Sequence, residues 1–155
     1  MPDYANRAAD KLRAGGLFAS HFQVFMHTSP FRGDAPYSNV ASAELQPPRS
    51  DTIELVVRAT EGARRIWRYV YRYSSAGVIL SGLVQETKLQ QSFLAARDSV
   101  RSAKLMAGMD AINQRHGRGT LQVASVGIDR GWGMRQDRRS PNYTTRLEDI
   151  PVVKA

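Results

Sequence analysis

The sequence predicts an α+β protein: a two-layer domain of the split β-α-β type that lacks its first strand, followed by a small helix-strand extension. Two observations predict it. Helical and strand periodicities alternate as α-β-β-α-β over residues 3–83. After a polar segment, a second helical pattern and one short strand pattern follow. We therefore expect a domain at 1–83, a linker at 84–98 and an extension at 99–155.

The first helix and the first two strands are delimited by glycine and proline. Residues 3–14 predict a helix that Gly15 and Gly16 end, with one small apolar face: Tyr4, Ala5, Ala8, Ala9 and Leu12. Residues 18–27 alternate as a strand whose buried side carries Phe22, Val24 and Met26. Residues 37–45 return as an antiparallel second strand, which Pro47 and Pro48 are expected to end.

The second helix carries a start signal of its own. Asp51 is the predicted N-cap, with Glu54 three residues further on. The predicted apolar stripe consists of Ile53, Val56, Val57, Thr60, Ala63 and Trp67. Residues 71–83 then predict a third strand, in which Gly77 indicates a close backbone approach.

The predicted extension begins with a helix over residues 99–116, with Leu105, Met109 and Ile112 on its apolar side. Gly117 is a natural residue to end it. Residues 120–126 predict a short strand, and residues 127–155 are rich in arginine and turn-forming residues, so we expect irregular structure there.

Charge is the strongest global clue. The chain of 155 residues has a formal net charge of +8, supplied mostly by arginine, whose planar guanidinium suits phosphate. A small basic protein most often binds a polyanion, and nucleic acid is the first candidate. Acidic proteins and membrane surfaces are the alternatives.

Several classes of site are disfavoured by composition. With no cysteine, thiol catalysis and thiolate metal sites are excluded, and a cytoplasmic location is expected. The histidines His21, His27 and His116 have no close acidic cluster, so neither a metal nor another cofactor is expected. Residues 1–4 do not resemble a secretory signal, and no apolar run is long enough for a bilayer, so no membrane partner is expected.

The sheet face opposite the helices is the best candidate binding surface. It is predicted to carry His21, Gln23 and His27 from the first strand, with Ser42 and Glu44 from the second. The third strand adds Tyr73 and Ser75, with Arg72 at its mouth. Small polar side chains and main-chain amides there would admit a phosphate backbone without reading bases. The candidate DNA-binding residues are His27, Arg32, Ser42, Arg72, Tyr73 and Ser75. The run Arg64, Arg65 and Arg68 is explained equally well as a solvated helix face.

The linker contains a pair of large apolar residues, Phe93 and Leu94, in polar surroundings. Such a pair needs burial. It packs either on this chain's own core or, as a short peptide, in a pocket of a partner.

Several motifs in order resemble the C-terminal part of UmuC-type proteins, the catalytic subunit of the Y-family translesion DNA polymerase V. The motifs are His27-Thr28-Ser29-Pro30-Phe31, Tyr71-Arg72-Tyr73, Ala76-Gly77-Val78, Gly117-Arg118-Gly119-Thr120, Trp132-Gly133-Met134-Arg135 and Ser140-Pro141-Asn142-Tyr143-Thr144-Thr145-Arg146. The resemblance implies that residues 1–83 are a little-finger domain that grips DNA, and that 99–155 are the extension typical of UmuC-type proteins.

By the same resemblance, the linker peptide is a sliding-clamp-binding motif: Gln90, Gln91, Ser92, Phe93 and Leu94. Gln91 departs from the family's leucine, and the last two residues are in reversed order. Ser75 stands where the family often has a basic residue.

The resemblance also implies what this chain does. The palm carboxylates that hold the polymerase metals have no match here, so the chain alone is not expected to be an enzyme. The expected role is DNA binding and clamp tethering in SOS translesion synthesis. The implied partners are duplex or primer–template DNA, the β sliding clamp, a UmuD-type subunit and a recombinase filament. The alternatives are a protein-interaction module with little DNA affinity, or a gene remnant.

The first strand of a little-finger sheet would precede Met1. We therefore expect an excised or truncated piece whose sheet edge either drives self-association or strand swapping, or is filled by residues 120–126.

Overall fold

The computed structural model describes residues 1–33, 35–85 and 96–127, with side chains from residue 100 onwards in the last range. The elements are α1 (Pro2–Ala14), β1 (Leu17–Thr28), β2 (Ser38–Arg49), α2 (Thr52–Ile66), β3 (Tyr73–Gln85), α3 (Ala96–His116) and a 3-10 turn (Ala124–Val126). The α+β class and the α-β-β-α-β order are confirmed. None of the helices in these ranges combines the length and apolar character needed to cross a bilayer.

The three described strands form one antiparallel sheet in the order β2-β1-β3. The central strand β1 alternates as predicted, because Phe22, Val24 and Met26 are all buried beneath the helices. The remaining core residues are Ala19 of β1 and residues from α1, β2 and α2: Ala5, Ala9, Leu12, Leu45, Leu55, Val56, Ala59 and Ile66. The core therefore lies between the two helices and one face of the sheet.

The prediction that Pro47 and Pro48 end the second strand is wrong, since β2 continues to Arg49. The pairing register explains this. Ala19 pairs with Arg49, whereas His21 pairs with Glu44, so β2 bulges at the two prolines. The prolines are tolerated because they lie in this bulge, on an edge strand of the described sheet, where no regular pairing with β1 requires their N–H groups.

The start of α2 is as predicted, but its predicted apolar stripe is only partly right. The Asp51 carboxylate accepts the Glu54 amide at 2.9 Å. Ile53, Val57 and Trp67 are exposed, and the buried side carries Thr52, Leu55, Val56, Ala59 and Ile66. Two apolar stripes overlap on this helix. The one that contains the small residues Thr52 and Ala59 faces the core, because α1 packs closely against α2 there.

The predicted strand at residues 120–126 is also wrong. The segment turns back on the end of α3, where the Leu121 amide donates to Asn113 Oδ1 at 2.8 Å and Asn113 Nδ2 donates to the Leu121 carbonyl at 2.9 Å. These bonds use both backbone groups of Leu121, which are then not free to pair with a neighbouring strand. The segment ends in the 3-10 turn, which lies against α1 and adds no strand to the sheet.

Arg13 joins three parts of the chain through one guanidinium group. Its Nε and Nη2 donate to the two Asp110 oxygens, both at 2.7 Å, and Nη2 also donates to Asp10 at 2.8 Å. Its Nη1 donates to the Ser50 carbonyl at 3.0 Å and to Thr52 Oγ1 at 2.6 Å. A guanidinium has five N–H donors, and all five are used.

The surroundings of Arg13 affect its charge and that of Asp10. Burial lowers the pKa of the Arg13 guanidinium, but the hydrogen bonds and charges of Asp110 and Asp10 outweigh it and raise the pKa above its ordinary value. Burial raises the pKa of the Asp10 carboxyl, against the pull of Arg13. Arg13 therefore stays charged, and its paired hydrogen bonds make up for its removal from water.

Further contacts attach α3 to the start of α2. The Thr52 amide donates to Met106 Sδ at 3.4 Å, and Ser102 hydrogen-bonds to the Asp51 carboxylate. Met106 and Met109 are buried, whereas Leu105 and Ile112, two of the three residues predicted for this face, are exposed. The extension helix therefore packs on the α1–α2 end of the domain.

We expect Arg13→Met to lower the free energy of unfolding by about 2–4 kcal/mol, because it leaves Asp10 and Asp110 without their buried cation. Arg13→Lys should recover only part of this, since an ammonium has three donors in place of five. Urea unfolding of the full chain measures both, with the exposed Arg7→Met as the control. Equal losses for Arg13→Met and Arg7→Met would contradict this role of Arg13.

Candidate nucleic-acid interface

One face of the sheet is not covered by any described helix, and we call it the open face. The strand register places side chains from all three strands in four rows across it. Each row runs from β2 through β1 to β3, and the rows are Glu44-His21-Ser81, Ser42-Gln23-Ile79, Val40-Phe25-Gly77 and Ser38-His27-Ser75. The open face is therefore polar at both ends, with an apolar band between them.

Three of the predicted site residues lie on this face. His27 and Ser75 are register partners in one end row, and Ser42 lies two rows away beside Gln23. The His27 ring stacks near Phe25, with ring centroids 6.2 Å apart, and its Nδ1 lies 3.2 Å from the Thr28 carbonyl oxygen. The imidazole is thus held at the rim of the open face.

Tyr73 does not lie on the open face, so its predicted position is wrong. The register shifts between His27 and Thr28, which pair with Ser75 and Tyr73, so Ser74 is an extra residue in β3. This bulge turns Tyr73 to the helix side, where its partner Thr28 is buried. Strict alternation along β3 could not reveal the shift.

Tyr73 instead belongs to an aromatic cluster formed by Tyr37, Trp67, Tyr71 and Tyr73 at the end of the sheet. The rings of Tyr37 and Tyr71 stack at 4.4 Å, and those of Trp67 and Tyr73 at 4.7 Å. The Tyr37 hydroxyl donates to the Ile66 carbonyl at 2.6 Å, which joins the residue before β2 to the end of α2. This cluster was not predicted from the sequence, although four aromatic residues near the ends of predicted elements were a signal for it.

The arginines gather at the same end of the molecule. Arg32 follows β1 and Arg72 precedes β3, and the last turn of α2 and the loop after it add Arg64, Arg65 and Arg68. All five are exposed, and none is paired with a carboxylate within the described ranges. We call these five residues the basic end.

Most of the acidic side chains discussed above lie elsewhere, although the exposed Glu61 lies on α2 one turn before Arg64 and Arg65. Asp10, Asp51 and Asp110 surround the start of α2, at the opposite end of that helix from Arg64 and Arg65. On the open face, Glu44 occupies the row farthest from His27 and accepts a hydrogen bond from Gln46 Nε2 at 2.9 Å. The charge distribution therefore favours an anion at the His27 row over one at the His21 row.

Gly77 permits a close approach, as predicted. The group that approaches it is the aromatic ring of Phe25 and not a backbone segment. A Cβ added at Gly77 would lie 2.6 Å from Phe25 Cε1 and Cζ, so the Phe25 ring lies across this glycine on the open face. Any side chain at residue 77 would push the ring aside.

The predicted clamp-binding peptide, Gln90, Gln91, Ser92, Phe93 and Leu94, lies outside the described residues. The ends of the predicted linker are described, and both belong to regular elements. Val84 and Gln85 extend β3, and residues 96–98 begin α3.

Comparison with known proteins identifies the family. Residues 1–93 match the impB/mucB/samB family C-terminal domain, and residues 103–153 match a domain of unknown function, DUF4113. The chain belongs to the impB/mucB/samB family. This confirms the UmuC-type resemblance.

Individual relatives are similar over almost the whole chain. The protein UmuC of Salmonella typhimurium is 37% identical over 153 residues, SamB of the same species is 39% identical over 153 residues, and MucB of Escherichia coli is 36% identical over 151. Each alignment covers 97% of this chain and 36% of the relative. The chain thus spans about a third of the length of these proteins.

We expect Gly77→Ala to cost about 1–3 kcal/mol of stability, because the new methyl group displaces the Phe25 ring. In a Phe25→Ala background the same substitution should cost much less, since no ring remains to be moved. Urea unfolding of the two single variants and the double variant measures this coupling. An equal cost in both backgrounds would show that the Phe25 ring does not lie over Gly77.

Proposed function

We propose that this chain is the non-catalytic DNA-binding and clamp-tethering portion of a translesion Y-family DNA polymerase. The observation that carries the proposal is the basic end: five exposed arginines without a carboxylate partner in the described ranges, next to an open sheet face. Membership of the impB/mucB/samB family supports the same role.

The row nearest the basic end suits a phosphate backbone. Ser38, His27 and Ser75 can donate hydrogen bonds to phosphate oxygens, and their short side chains let the backbone come close. Arg32 and Arg72 extend the positive charge beyond the rim of the sheet. Glu44 repels phosphate at the far row, so the backbone is proposed to cross the face from the basic end as far as Ser42. Such contacts do not depend on base sequence.

Clamp tethering rests on the peptide between β3 and α3. Gln90, Phe93 and Leu94 resemble the clamp-binding motif of the family, and the peptide follows a DNA-gripping domain at 1–83 in this reading. An apolar pair that enters a pocket of the clamp would hold the polymerase at the primer end. The region at 99–155 is proposed to be the extension typical of UmuC-type proteins.

The polymerase chemistry itself is assigned to other parts of the parent protein. The resemblance places the metal-binding carboxylates in the palm, and the matched 36% of the relatives corresponds to their C-terminal part in this reading. Residues 1–155 are therefore proposed to contribute grip and tethering, without catalysis of their own.

A second candidate, a protein-interaction module with little DNA affinity, is favoured by exposed apolar side chains on α2 and α3. Ile53 and Leu105 line one shallow pocket, and Val57 and Val100 are also exposed. The two candidates differ in what they predict for duplex DNA, since an interaction module would bind it only weakly.

The DNA-binding role predicts a steep salt dependence. We expect Arg32→Gln and Arg72→Gln each to weaken duplex affinity roughly threefold to tenfold and to reduce the slope of log affinity against log salt by about 0.9. Ser75→Lys should do the opposite, because it adds a cation beside His27. Fluorescence anisotropy with a blunt labelled duplex measures all three.

Arg7→Gln is the matched control, since it removes an exposed arginine on α1. A duplex affinity that barely changed with salt, or equal effects of Arg7→Gln and Arg72→Gln, would contradict phosphate binding at the basic end. It would favour the interaction module.

The tethering role predicts that Phe93→Ala and Leu94→Ala together abolish binding to the β sliding clamp and leave duplex affinity unchanged. The loss follows from removal of both apolar anchors. Leu89→Ala, in the same segment but outside the motif, is the control. Clamp binding by the double variant equal to that of the unaltered chain would disprove the motif assignment.

A further inference from the structure

Two aromatic rings at the basic end are almost fully exposed. Phe31 is 95% exposed and Tyr69 is 94% exposed, and Val70 beside Tyr69 is also exposed. Isolated apolar side chains on a surface are common. Two aromatic rings in the same corner of the molecule, next to five arginines that have no carboxylate partner among the described residues, form a patch that is suited to a specific ligand.

The loop that carries Tyr69 is fixed at both sides. The Tyr73 hydroxyl accepts a hydrogen bond from the Arg68 amide at 2.7 Å and donates one to the Arg68 carbonyl at 3.2 Å. The Tyr71 amide donates to the same carbonyl at 3.4 Å. Trp67 stacks on Tyr73. The loop therefore turns sharply between Arg68 and Tyr71, with Trp67 and Tyr71 in the cluster and Tyr69 at the outer tip.

The loop that carries Phe31 is anchored in the same aromatic cluster. The Thr28 amide donates to the Tyr37 carbonyl at 2.9 Å, which closes the base of the loop. The Tyr37 ring then stacks on Tyr71, the residue that closes the Tyr69 turn. Both loops therefore start from the same stacked pair, Tyr37 and Tyr71. Phe31 and Tyr69 for this reason lie in the same corner of the fold. Because this pair is already ordered, a ligand would not have to order it on binding.

The order of residues in these loops points to the ligand. Arg32 follows Phe31 directly, and Arg68 precedes Tyr69 directly. An exposed ring offers its face to a nucleobase, and an adjacent guanidinium pairs with the phosphate of the same nucleotide. Inside a duplex the base faces are already stacked. Only unpaired nucleotides present both a free base face and a phosphate.

We propose that Phe31 and Tyr69, flanked by Arg32, Arg68 and Arg72, stack on the unpaired bases of a single strand that continues from the duplex held on the open face. This rests on the proposed function and adds a second, distinct DNA contact to it. The open face takes the duplex backbone. Phe31 and Tyr69, which we call the aromatic corner, bind the single-stranded nucleotides next to the duplex.

The test uses the full chain and three DNA probes: a poly-thymidine strand, a blunt duplex, and the same duplex with a single-stranded overhang. Tyr69→Ala and Phe31→Ala should each weaken binding to the single strand by about 5- to 30-fold. Binding to the blunt duplex should stay within about twofold, because phosphate contacts on the open face are intact. The overhang should strengthen duplex binding by the unaltered chain, and Tyr69→Ala should remove that gain.

Two variants separate stacking from a general loss of structure. Tyr69→Phe keeps the ring and should bind the single strand like the unaltered chain. Leu105→Ala removes an exposed apolar residue on α3 and should have no effect. In addition, 2-aminopurine placed in the overhang should be quenched by the unaltered chain and by Tyr69→Phe, and not by Tyr69→Ala.

The outcomes distinguish this inference from the proposed function. Single-strand binding that is unaffected by Tyr69→Ala and Phe31→Ala would overturn the proposal that the aromatic corner stacks on bases. It would leave the assignment of the duplex to the open face intact. If the unaltered chain does not bind blunt duplex but still binds the single strand in a way that depends on Tyr69, the duplex assignment is overturned. Single-strand stacking at the aromatic corner is then supported on its own. Equal competition by polyglutamate and by the single strand would overturn the corner as a nucleotide site, because charge alone would then explain binding.

Discussion

The guanidinium of Arg13 is the interaction on which the arrangement of the described elements depends. It saturates all five of its donors on α1, the start of α2 and α3, so these segments hold a fixed relation. Two features of the domain bear on function. The two helices of the domain pack on one face of the sheet through the core, which leaves the other face open. Asp10 and Asp110 are bound to Arg13 at this end, and the arginines at the far end of α2 have no carboxylate partner in the part of the chain that the structure describes.

The far end owes its form to a single extra residue in β3. The bulge at Ser74 turns Tyr73 away from the open face and into the cluster with Tyr37, Trp67 and Tyr71. That cluster joins the two loops that present Arg32 and Arg72, and it leaves Ser75 and His27 paired at the rim of the sheet. Hydrophobic packing on one side thus sets the geometry of the polar surface on the other. The open face and the aromatic corner are two uses of the same end of the domain.

The element order, the Asp51 cap and the buried side of β1 could be predicted, because each depends on local pattern. The errors all involve tertiary context. Pro47 and Pro48 are tolerated because they lie in a bulge of an edge strand. The position of a strand in the sheet is not visible in the local sequence. The choice between two stripes on α2 was decided by contact with α1. Residues 120–126 have a strand-like pattern, but in the fold Asn113 hydrogen-bonds to both backbone groups of Leu121. The role of Arg13 left no sequence signal, since its partners lie up to 97 positions away.

Amide NMR of the full labelled chain, titrated with blunt duplex, would show whether the duplex crosses the open face from the basic end. We expect the resonances of Ser38, Ser42 and Ser75 to shift together and to saturate with one affinity. Resonances of the α1 face around Arg7 and of α3 around Leu105 should stay in place. Shifts confined to α3, with Ser38 and Ser75 unmoved, would show that the duplex does not cross the open face and would place any DNA contact on the extension.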